Sequence, residues 1–381
     1  MPSDAGSAET SGTRRRIPVS VVCVYNDLEV RQQCLDRSLM DHAAEAPEIE
    51  YLPIDNTLSA FSSAGAALNY GARQARNPYI VFVHQDVYLH SLVALEEAAG
   101  ALEDSPGFGV VGAVGIASNS AIVGRIRDRV VFSGPQVTGL SVVDSIDEVL
   151  FIASRGRLLD EPLTEDPDLA WHAYAVEYGM RLGGQGLRVG VADIPLTHNS
   201  LTINLARLDV AHQTLARRYP ESPPIQTTCG RIPPPPLSPQ ALPLLRVPRR
   251  GARFLVDSLT LAGARVGRIG SIARSDVRRE VDRFLEESSA SPFAIINVTD
   301  APGAFGTANP LALTRRGQPV TCWALPVEEA LHLITELRDH SSLLLTDLSR
   351  VTVRSVARQL TDPLVGYDDT IGFWILSRPR S

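Results

Sequence analysis

The chain has 381 residues, more than one hydrophobic core usually serves, so we expect two domains. Its 44% hydrophobic and 21% charged residues are typical of a globular protein and exclude a collagen-like or wholly disordered chain. The net charge of −7 argues against nucleic-acid binding, which needs a concentrated positive field, and the absence of lysine excludes Schiff-base catalysis.

No stretch of the sequence approaches the roughly 18–20 uninterrupted apolar residues that a transmembrane helix needs. Residues 1–16 contain three consecutive arginines but no signal-peptide core, and we interpret them as a disordered leader. These patterns predict a cytoplasmic protein without a transmembrane segment.

The first half of the chain alternates short apolar runs with helix-forming segments. Residues 17–25, 49–54 and 79–83 are predicted to be buried strands, with helices over 28–44 and 62–75 between them. This alternation predicts an α/β fold with a parallel sheet and helices on its faces. Polar residues follow each strand, and open α/β sheets bind ligands at that carboxyl edge. The pattern therefore predicts a binding site at the strand tips.

Further elements continue the first domain, which we expect to span residues 17–219. The predicted elements are a helix over 89–102, a strand over 109–116, an irregular or β-rich stretch over 117–146, a strand over 148–153, a helix over 174–183 and a strand over 188–193.

Residues 220–248 are too rich in proline for regular structure and are predicted to be a linker. Residues 249–381 are predicted to hold an Arg-rich helix, within 249–287, and a small α/β domain of unknown role. A surface helix is the simpler interpretation of the arginines, and a peripheral contact with the inner face of a membrane is the alternative. The C-terminal domain could also mediate homo-oligomer formation.

Five segments of the first domain together resemble a known family. They are VSVVCVYND, YLPIDNT, SAGAALNYGARQARNPYIVFVHQDVYL, DEVLFIASRGRL and WHAYAVEYGMRLGGQGLRVGVADIPLTHNS. In order and spacing they resemble the family 2 glycosyltransferases that use nucleotide-diphospho-sugars, in particular a bacterial subgroup with HQD as its metal motif. The resemblance covers about residues 17–205. It implies a GT-A fold, with a mainly parallel sheet flanked by helices.

The resemblance also implies an activity. It is the metal-dependent, inverting transfer of a sugar from a nucleotide-diphosphate donor to an acceptor hydroxyl, in polysaccharide, glycolipid or natural-product assembly. A divalent cation held by a carboxylate neutralises the leaving diphosphate in such a reaction. The cofactor is therefore expected to be Mn²⁺ or Mg²⁺.

Two residues are candidates for metal ligation. Asp86 ends a buried strand, and the resemblance makes it the principal metal contact, while His198 falls where the family places a metal-binding histidine. Imidazole plus carboxylate suits Mn²⁺ better than Mg²⁺. From the residues alone, a turn cap is the alternative role for Asp86, and a solvated side chain is the alternative for His198.

Candidates for nucleotide-sugar binding follow the strands. Tyr25 and Asn26 end the first strand, and Asp55, after the second, matches the carboxylate that the family uses for the nucleoside. An Asx turn is the alternative role for Asp55. The other nucleotide-sugar candidates are Asn69, Arg73, Gln85 and Asp86.

The catalytic base is where this sequence departs from the family pattern. An inverting transfer needs a base to take the proton from the acceptor hydroxyl, but Ala175 stands at the expected Asp. We predict Glu177 or His172 as the base, with Asp166 or Asp168 as alternatives. The departure also leaves open a degenerate GT-A module that binds nucleotide sugar as a scaffold or regulator with little turnover.

Two further residues are candidates for acceptor binding. Trp171 could stack on a sugar ring or pack in the core, and Arg155 could hold a phosphate or shape the acceptor pocket.

Overall fold

The computed structural model describes residues 15–128, 131–133, 136–199, 207–233, 292–298, 309–312, 319–360, 363–368 and 372–379. The predicted leader up to residue 14, the Arg-rich segment 249–287 and the part of the proline-rich stretch beyond residue 233 lie outside the described residues.

Strands and helices alternate through the first part of the chain. The strands are β1 (Val19–Tyr25), β2 (Glu50–Asp55), β3 (Tyr79–Val83), β4 (Val87–Leu89), β5 (Phe108–Gly112), β6 (Gly115–Ile116), β7 (Ile122–Val123), β8 (Ile126–Asp128), β9 (Val131–Ser133), β10 (Ser141–Val143), β11 (Ser145–Ile146), β12 (Leu150–Ser154), β13 (Arg188–Val191) and β14 (Leu196–His198). The helices are α1 (Leu28–Arg31), a π-helical turn (Gln32–Asp36), α2 (Arg37–His42), a 3₁₀ turn (Ala43–Glu45), α3 (Ala64–Gln74), α4 (Val93–Glu103), α5 (Arg155–Asp160), a 3₁₀ turn (Pro167–Leu169), α6 (Tyr174–Gly184) and α7 (Leu208–Arg218).

A seven-stranded sheet in the order β10-β13-β5-β12-β3-β1-β2 forms the centre of this part. β1 pairs in parallel with β2 and β3, and β5 pairs in parallel with β13. The expected α/β class, with a large sheet flanked by helices, is confirmed. One predicted helix starts later than expected, because Val87–Leu89 form β4 and α4 begins only at Val93.

Strand β12 departs from the mainly parallel arrangement that the resemblance implies. It pairs antiparallel with both β3 and β5. A parallel connection needs a crossover, usually a helix, but the described residues between 113 and 149 form only short strands and loops. The chain therefore re-enters the sheet from the carboxyl edge of β3, and β12 begins where β3 ends.

Two hydrophobic layers cover the faces of the sheet. On one face, α3 packs on β1 and β2, where Gly71 allows a close approach, since a Cβ there would lie 2.4 Å from Val22 Cγ1. The helix begins at Ser63, whose hydroxyl accepts a hydrogen bond from the Ala66 N–H. On the other face, the apolar side of α4 joins the cluster that contains Val19, Val21 and Leu95.

The start of the proline-rich stretch is ordered. Strands β15 (Ile225–Thr227) and β16 (Gly230–Ile232) form an antiparallel hairpin. Ile225 and Ile232 are buried in one cluster with Val176 and Met180 of α6. The hairpin therefore packs on the first part of the chain, while the division at residue 219 stays a prediction.

The C-terminal part forms a second α/β unit with its own apolar cluster, which includes Ile296, Leu345 and Ile375. Its strands lie in the order β18-β19-β17-β20-β22-β21, and β17 pairs in parallel with β19 and β20. The elements are β17 (Phe293–Val298), β18 (Asn309–Ala312), β19 (Pro319–Leu325), α8 (Val327–Leu337), β20 (Ser342–Leu348), α9 (Arg350–Ala357), β21 (Leu364–Asp368) and β22 (Gly372–Ser377). Among the described residues, no helix has the length and apolar character needed to cross a membrane.

Candidate metal centre

Three side chains at the carboxyl edge of the sheet could hold a metal ion. His84 follows β3, Asp86 lies in the turn before β4, and His198 ends β14. One ligand atom from each lies within 4.8 Å of the other two. We call this group the metal cluster. Two imidazoles and a carboxylate are a donor set that suits a divalent transition metal.

Backbone pairing holds the metal cluster together. β14 pairs antiparallel with β4, which sets His198 opposite Val87, directly after Asp86. The N–H of Asn199 donates to the carbonyl oxygen of Asp86 at 2.8 Å. His84 is held from the other side, because its N–H donates to the carbonyl oxygen of Val149 at 3.1 Å. The ligands are thus placed by strands rather than by a loose loop.

The electrostatics of the metal cluster suit a cation. Burial acts to raise the pKa of Asp86, but the hydrogen bond and charge of His198, together with His84, lower it to about 2. Burial and the neighbouring His198 lower the pKa of His84, against the opposing effect of Asp86. At neutral pH the group therefore holds an ionised carboxylate beside a neutral imidazole, the protonation states that metal ligation needs.

Tyr25 and Asp55 lie side by side at the same edge. They are paired across β1 and β2, and the Tyr25 hydroxyl and the Asp55 carboxylate interact electrostatically. Asp55 Oδ1 also accepts hydrogen bonds from the N–H and the hydroxyl of Thr57, both at 2.8 Å, so the Asx-turn role is realised. These bonds, with the interactions with Tyr25 and Arg31, lower the pKa of Asp55.

Gln85 fixes the turn after β1. Its Oε1 accepts hydrogen bonds from the N–H groups of Asn26 and Asp27, at 2.9 and 3.0 Å. Its Nε2 donates to Asn26 Oδ1 at 2.7 Å. This contact ties the tip of β1 to the turn that carries Asp86, so the structure brings Tyr25, Asn26, Gln85 and Asp86 together.

Asn69 is engaged in a structural tie. It is buried on α3, donates to the Leu163 carbonyl oxygen and to Glu165 Oε1, and accepts from the Leu163 N–H at 3.0 Å. These bonds anchor the loop before α6.

Arg73 and Arg155 lie toward the opposite edge of the sheet. Because β12 is antiparallel to β3, Arg155 follows the strand end beside Tyr79, and its Nε donates to the Ala75 carbonyl oxygen at 2.6 Å. Arg73 is exposed at the end of α3, two residues before Ala75. The structure does not bring these two arginines to the metal cluster.

The predicted bases lie at the start of α6. The Glu177 carboxylate is buried, and it pairs with Arg181 at 3.2 Å and accepts a hydrogen bond from the Tyr219 hydroxyl at 2.6 Å. His172 is half-buried and lies near His212. Burial and the neighbouring His172 lower the pKa of His212. Ala175 is fully buried in an apolar cluster.

Trp171 lies in the turn before α6 and is 41% exposed. It is therefore not core packing, and its ring is available to a ligand.

Glu148, two residues before β12, also lies at this edge of the sheet and was not predicted from the sequence. A residue that precedes a strand lies at the carboxyl edge of β3 only if that strand runs antiparallel to β3. That direction is not readable from the local pattern.

No family model and no curated protein sequence matches the chain. Among solved structures, a mannosyltransferase from Pyrobaculum calidifontis, in complex with GDP-Man and Mn²⁺, is similar at 16% identity and a TM-score of 0.39, over 55% of this chain and 64% of that one. GalNAc-T7 with UDP, GalNAc and Mn²⁺ is similar at 9% identity and a TM-score of 0.37, over 53% and 48%. S. aureus TarS is similar at 16% identity and a TM-score of 0.36, over 53% and 39%. The matched region spans less than two thirds of each of these chains.

Proposed function

We propose that this protein is a metal-dependent glycosyltransferase, which moves a sugar from a nucleotide-diphosphate donor to an acceptor hydroxyl with inversion at the anomeric carbon. The observation that carries the proposal is the metal cluster, His84, Asp86 and His198, at the carboxyl edge of an α/β sheet. The resemblance of the HQD segment and its neighbours to family 2 glycosyltransferases supports it.

Mn²⁺ is the proposed ion, because two imidazoles favour it over Mg²⁺. When bound, it supplies Lewis-acid neutralisation of the charge that develops on the departing diphosphate. The ionised Asp86, with a pKa of about 2, keeps a charged ligand ready at all working pH values. The strand pairing of β4 with β14 fixes the position of His198 relative to the turn that carries Asp86.

Asp55, Tyr25 and Asn26 form the proposed nucleoside subsite. The Asp55 carboxylate is exposed and ionised, so it can accept hydrogen bonds from N–H or O–H groups of a nucleoside. Tyr25 is its partner across the β1–β2 pairing, and the Arg31 guanidinium lies 4.0 Å from the centre of the Tyr25 ring. Because Gln85 ties this tip to the metal turn, a nucleoside here would direct its diphosphate toward Asp86.

Trp171 is proposed as the acceptor platform. An exposed indole offers a flat apolar face on which a sugar ring can stack, and Trp171 directly precedes His172 and the start of α6. A sugar ring stacked on Trp171 would lie beside the start of α6.

The test is Mn²⁺-dependent release of nucleoside diphosphate from UDP-glucose, UDP-N-acetylglucosamine and GDP-mannose. We expect release by the wild type from at least one donor, and loss of release with EDTA or in Asp86→Asn. The matched control is Asp104→Asn, an exposed carboxylate after α4, which should release at the wild-type rate. Binding of UDP or GDP without any release would favour the scaffold role, and neither binding nor release would contradict the proposal.

A further inference from the structure

The acids predicted as bases are held by α7 and the residues at its ends. Arg218 pairs with Asp166, and Arg207 pairs with Asp168 at 3.1 Å. Glu177 is buried between Arg181 and Tyr219. A carboxylate that is already neutralised by arginine or hydrogen-bonded on both oxygens is a weak proton acceptor. The general base is therefore to be sought in another acid near the metal cluster.

Glu148 lies at the same edge of the sheet as the metal cluster, just before the antiparallel strand β12. It precedes β12, and Leu150 of that strand is paired with Val83, the last residue of β3. The Val149 carbonyl oxygen accepts a hydrogen bond from the N–H of His84. Glu148 is thus one residue from a backbone contact with the metal cluster, although it lies far from His84 in sequence.

The carboxylate of Glu148 lies against the start of α6. The backbone N–H groups of Ala173, Tyr174 and Ala175 act to lower its pKa. Ala173 has a φ of 58°, a left-handed conformation that is uncommon for a residue with a side chain. Backbone strain of this kind clusters at functional sites. The Tyr174 hydroxyl reaches from the same turn to His84 Nε2 at 3.4 Å.

Ala175 cannot supply the missing carboxylate, since its side chain is a methyl group, and this group is fully buried in an apolar cluster. Glu148 brings a carboxylate to the backbone of Ala175 from a different strand. The side chain as a whole is half-buried, and its Oε1 is buried with no hydrogen-bond partner among the described residues. Oε1 therefore keeps its full capacity to accept a proton.

We propose that Glu148 is the general base of the transfer that we have proposed for this protein, taking the role that residue 175 leaves unfilled. The acceptor O–H gives its proton to the Glu148 carboxylate as the acceptor oxygen bonds to the anomeric carbon. The bond from that carbon to the diphosphate oxygen breaks, and its electron pair leaves with the nucleoside diphosphate. The proton then passes from Glu148 to solvent, which restores the carboxylate.

The environment of Glu148 is consistent with this role. Burial and the adjacent Asp147 raise the pKa of Glu148 to about 8, against the effect of the α6 N–H groups. The other titratable groups that face it are Tyr174 and Cys229, whose pKa values are raised, mainly by burial, so that both are neutral at pH 7. His84, the nearest residue of the metal cluster along the sheet, interacts with Asp147. A base with a pKa near the working pH is efficient in proton transfer.

The test compares Glu148→Gln with Asp144→Asn, a partly exposed acid four residues earlier, in the full chain with Mn²⁺ and the three nucleotide sugars above. We expect Glu148→Gln to lower kcat for diphosphate release by about 100-fold or more, the usual contribution of a general base. The Kd for UDP or GDP with Mn²⁺ and the Tm should stay near the wild-type values. The acidic limb of the wild-type pH profile of kcat should be absent from the residual activity.

Wild-type kcat in Glu148→Gln, or a fall in nucleotide binding that parallels the fall in kcat, would overturn the assignment. If Glu148→Gln does not fold, Glu148→Asp decides: the assignment requires a lower kcat with unchanged nucleotide affinity, and a wild-type kcat overturns it. Absence of Mn²⁺-dependent release in the wild type would overturn the proposed function and this assignment together. Release by the wild type and by Glu148→Gln alike would overturn the assignment alone.

Discussion

Asp86 and His198 approach each other to 3.5 Å, measured from Oδ1 to Nε2, although one follows β3 and the other ends β14. The short ladder between β4 and β14 produces this contact, because it sets His198 opposite Val87. Both side chains are less than one-fifth exposed, so water competes only weakly for the site. A ligand pair held this way is preorganised for a cation.

Removal of the central carboxylate should remove the response to metal. Wild-type protein at a free Mn²⁺ concentration 100-fold above Kd should gain about 2.7 kcal/mol of stability. Asp86→Asn should gain much less, because the amide carries no charge. Thermal unfolding with and without MnCl₂ measures the difference, and an equal Tm shift in both proteins would contradict the role of Asp86.

The bond between Tyr219 and Glu177 should contribute to stability rather than to chemistry. Tyr219→Phe removes a hydrogen bond to a buried carboxylate, at 2.6 Å, and should cost about 1.5–3 kcal/mol. Urea unfolding measures this cost, with Tyr70→Phe, a partly exposed tyrosine on α3, as the matched control. An unchanged free energy of unfolding would show that Glu177 does not need this partner.

The buried pair of Arg125 and Asp193 should be a stability hot spot. The guanidinium binds the carboxylate through two hydrogen bonds, at 2.9 and 2.7 Å, and the two side chains are 4% and 13% exposed. Asp193→Asn leaves a buried charge poorly compensated and should lower the free energy of unfolding by about 3 kcal/mol. Asp104→Asn, which breaks a half-exposed pair with Arg15, should cost less than about 1 kcal/mol. Equal costs would refute the distinction.

Acid should destabilise the protein through His90. Burial, with Arg127 and His42, lowers the pKa of His90 to about 3. As pH falls below about 6.5, the unfolded chain takes up a proton at this histidine and the folded chain does not, so unfolding is favoured until pH 3. Between pH 7 and pH 5 this should cost about 2 kcal/mol.

His90→Gln, which can keep the bond to Thr197, should lose correspondingly less stability over the same interval. Urea unfolding at pH 7 and pH 5 makes the comparison. Identical losses in the two proteins would contradict a depressed pKa at this position.

The elements of the sheet were predictable because their apolar runs are local. Strands β1, β2 and β3 and helices α3 and α6 lie within a few residues of their predicted bounds. The direction of β12 was not predictable, since it depends on the path of residues 113–149, whose described part carries no helix to mark a crossover. That direction decides that Glu148 belongs to the site edge and Arg155 to the opposite one.

The site was predictable where a residue ends a parallel strand. Tyr25, Asp55 and Asp86 meet at one edge because the carboxyl ends of β1, β2 and β3 do. Asn69 shows the limit of such reasoning, since a polar residue on a helix gives no sign of whether it faces a ligand or, as here, the Leu163 backbone. The contacts of Glu177 with Arg218 and Tyr219 likewise depend on tertiary packing alone.

The most direct test of the account is the position of the metal. Crystals of the full chain grown with MnCl₂ and UDP, measured at the manganese absorption edge, should show an anomalous peak enclosed by His84 Nε2 or Nδ1, an Asp86 oxygen and a His198 ring nitrogen. A manganese peak elsewhere in the molecule, with these three side chains free of metal, would contradict the account.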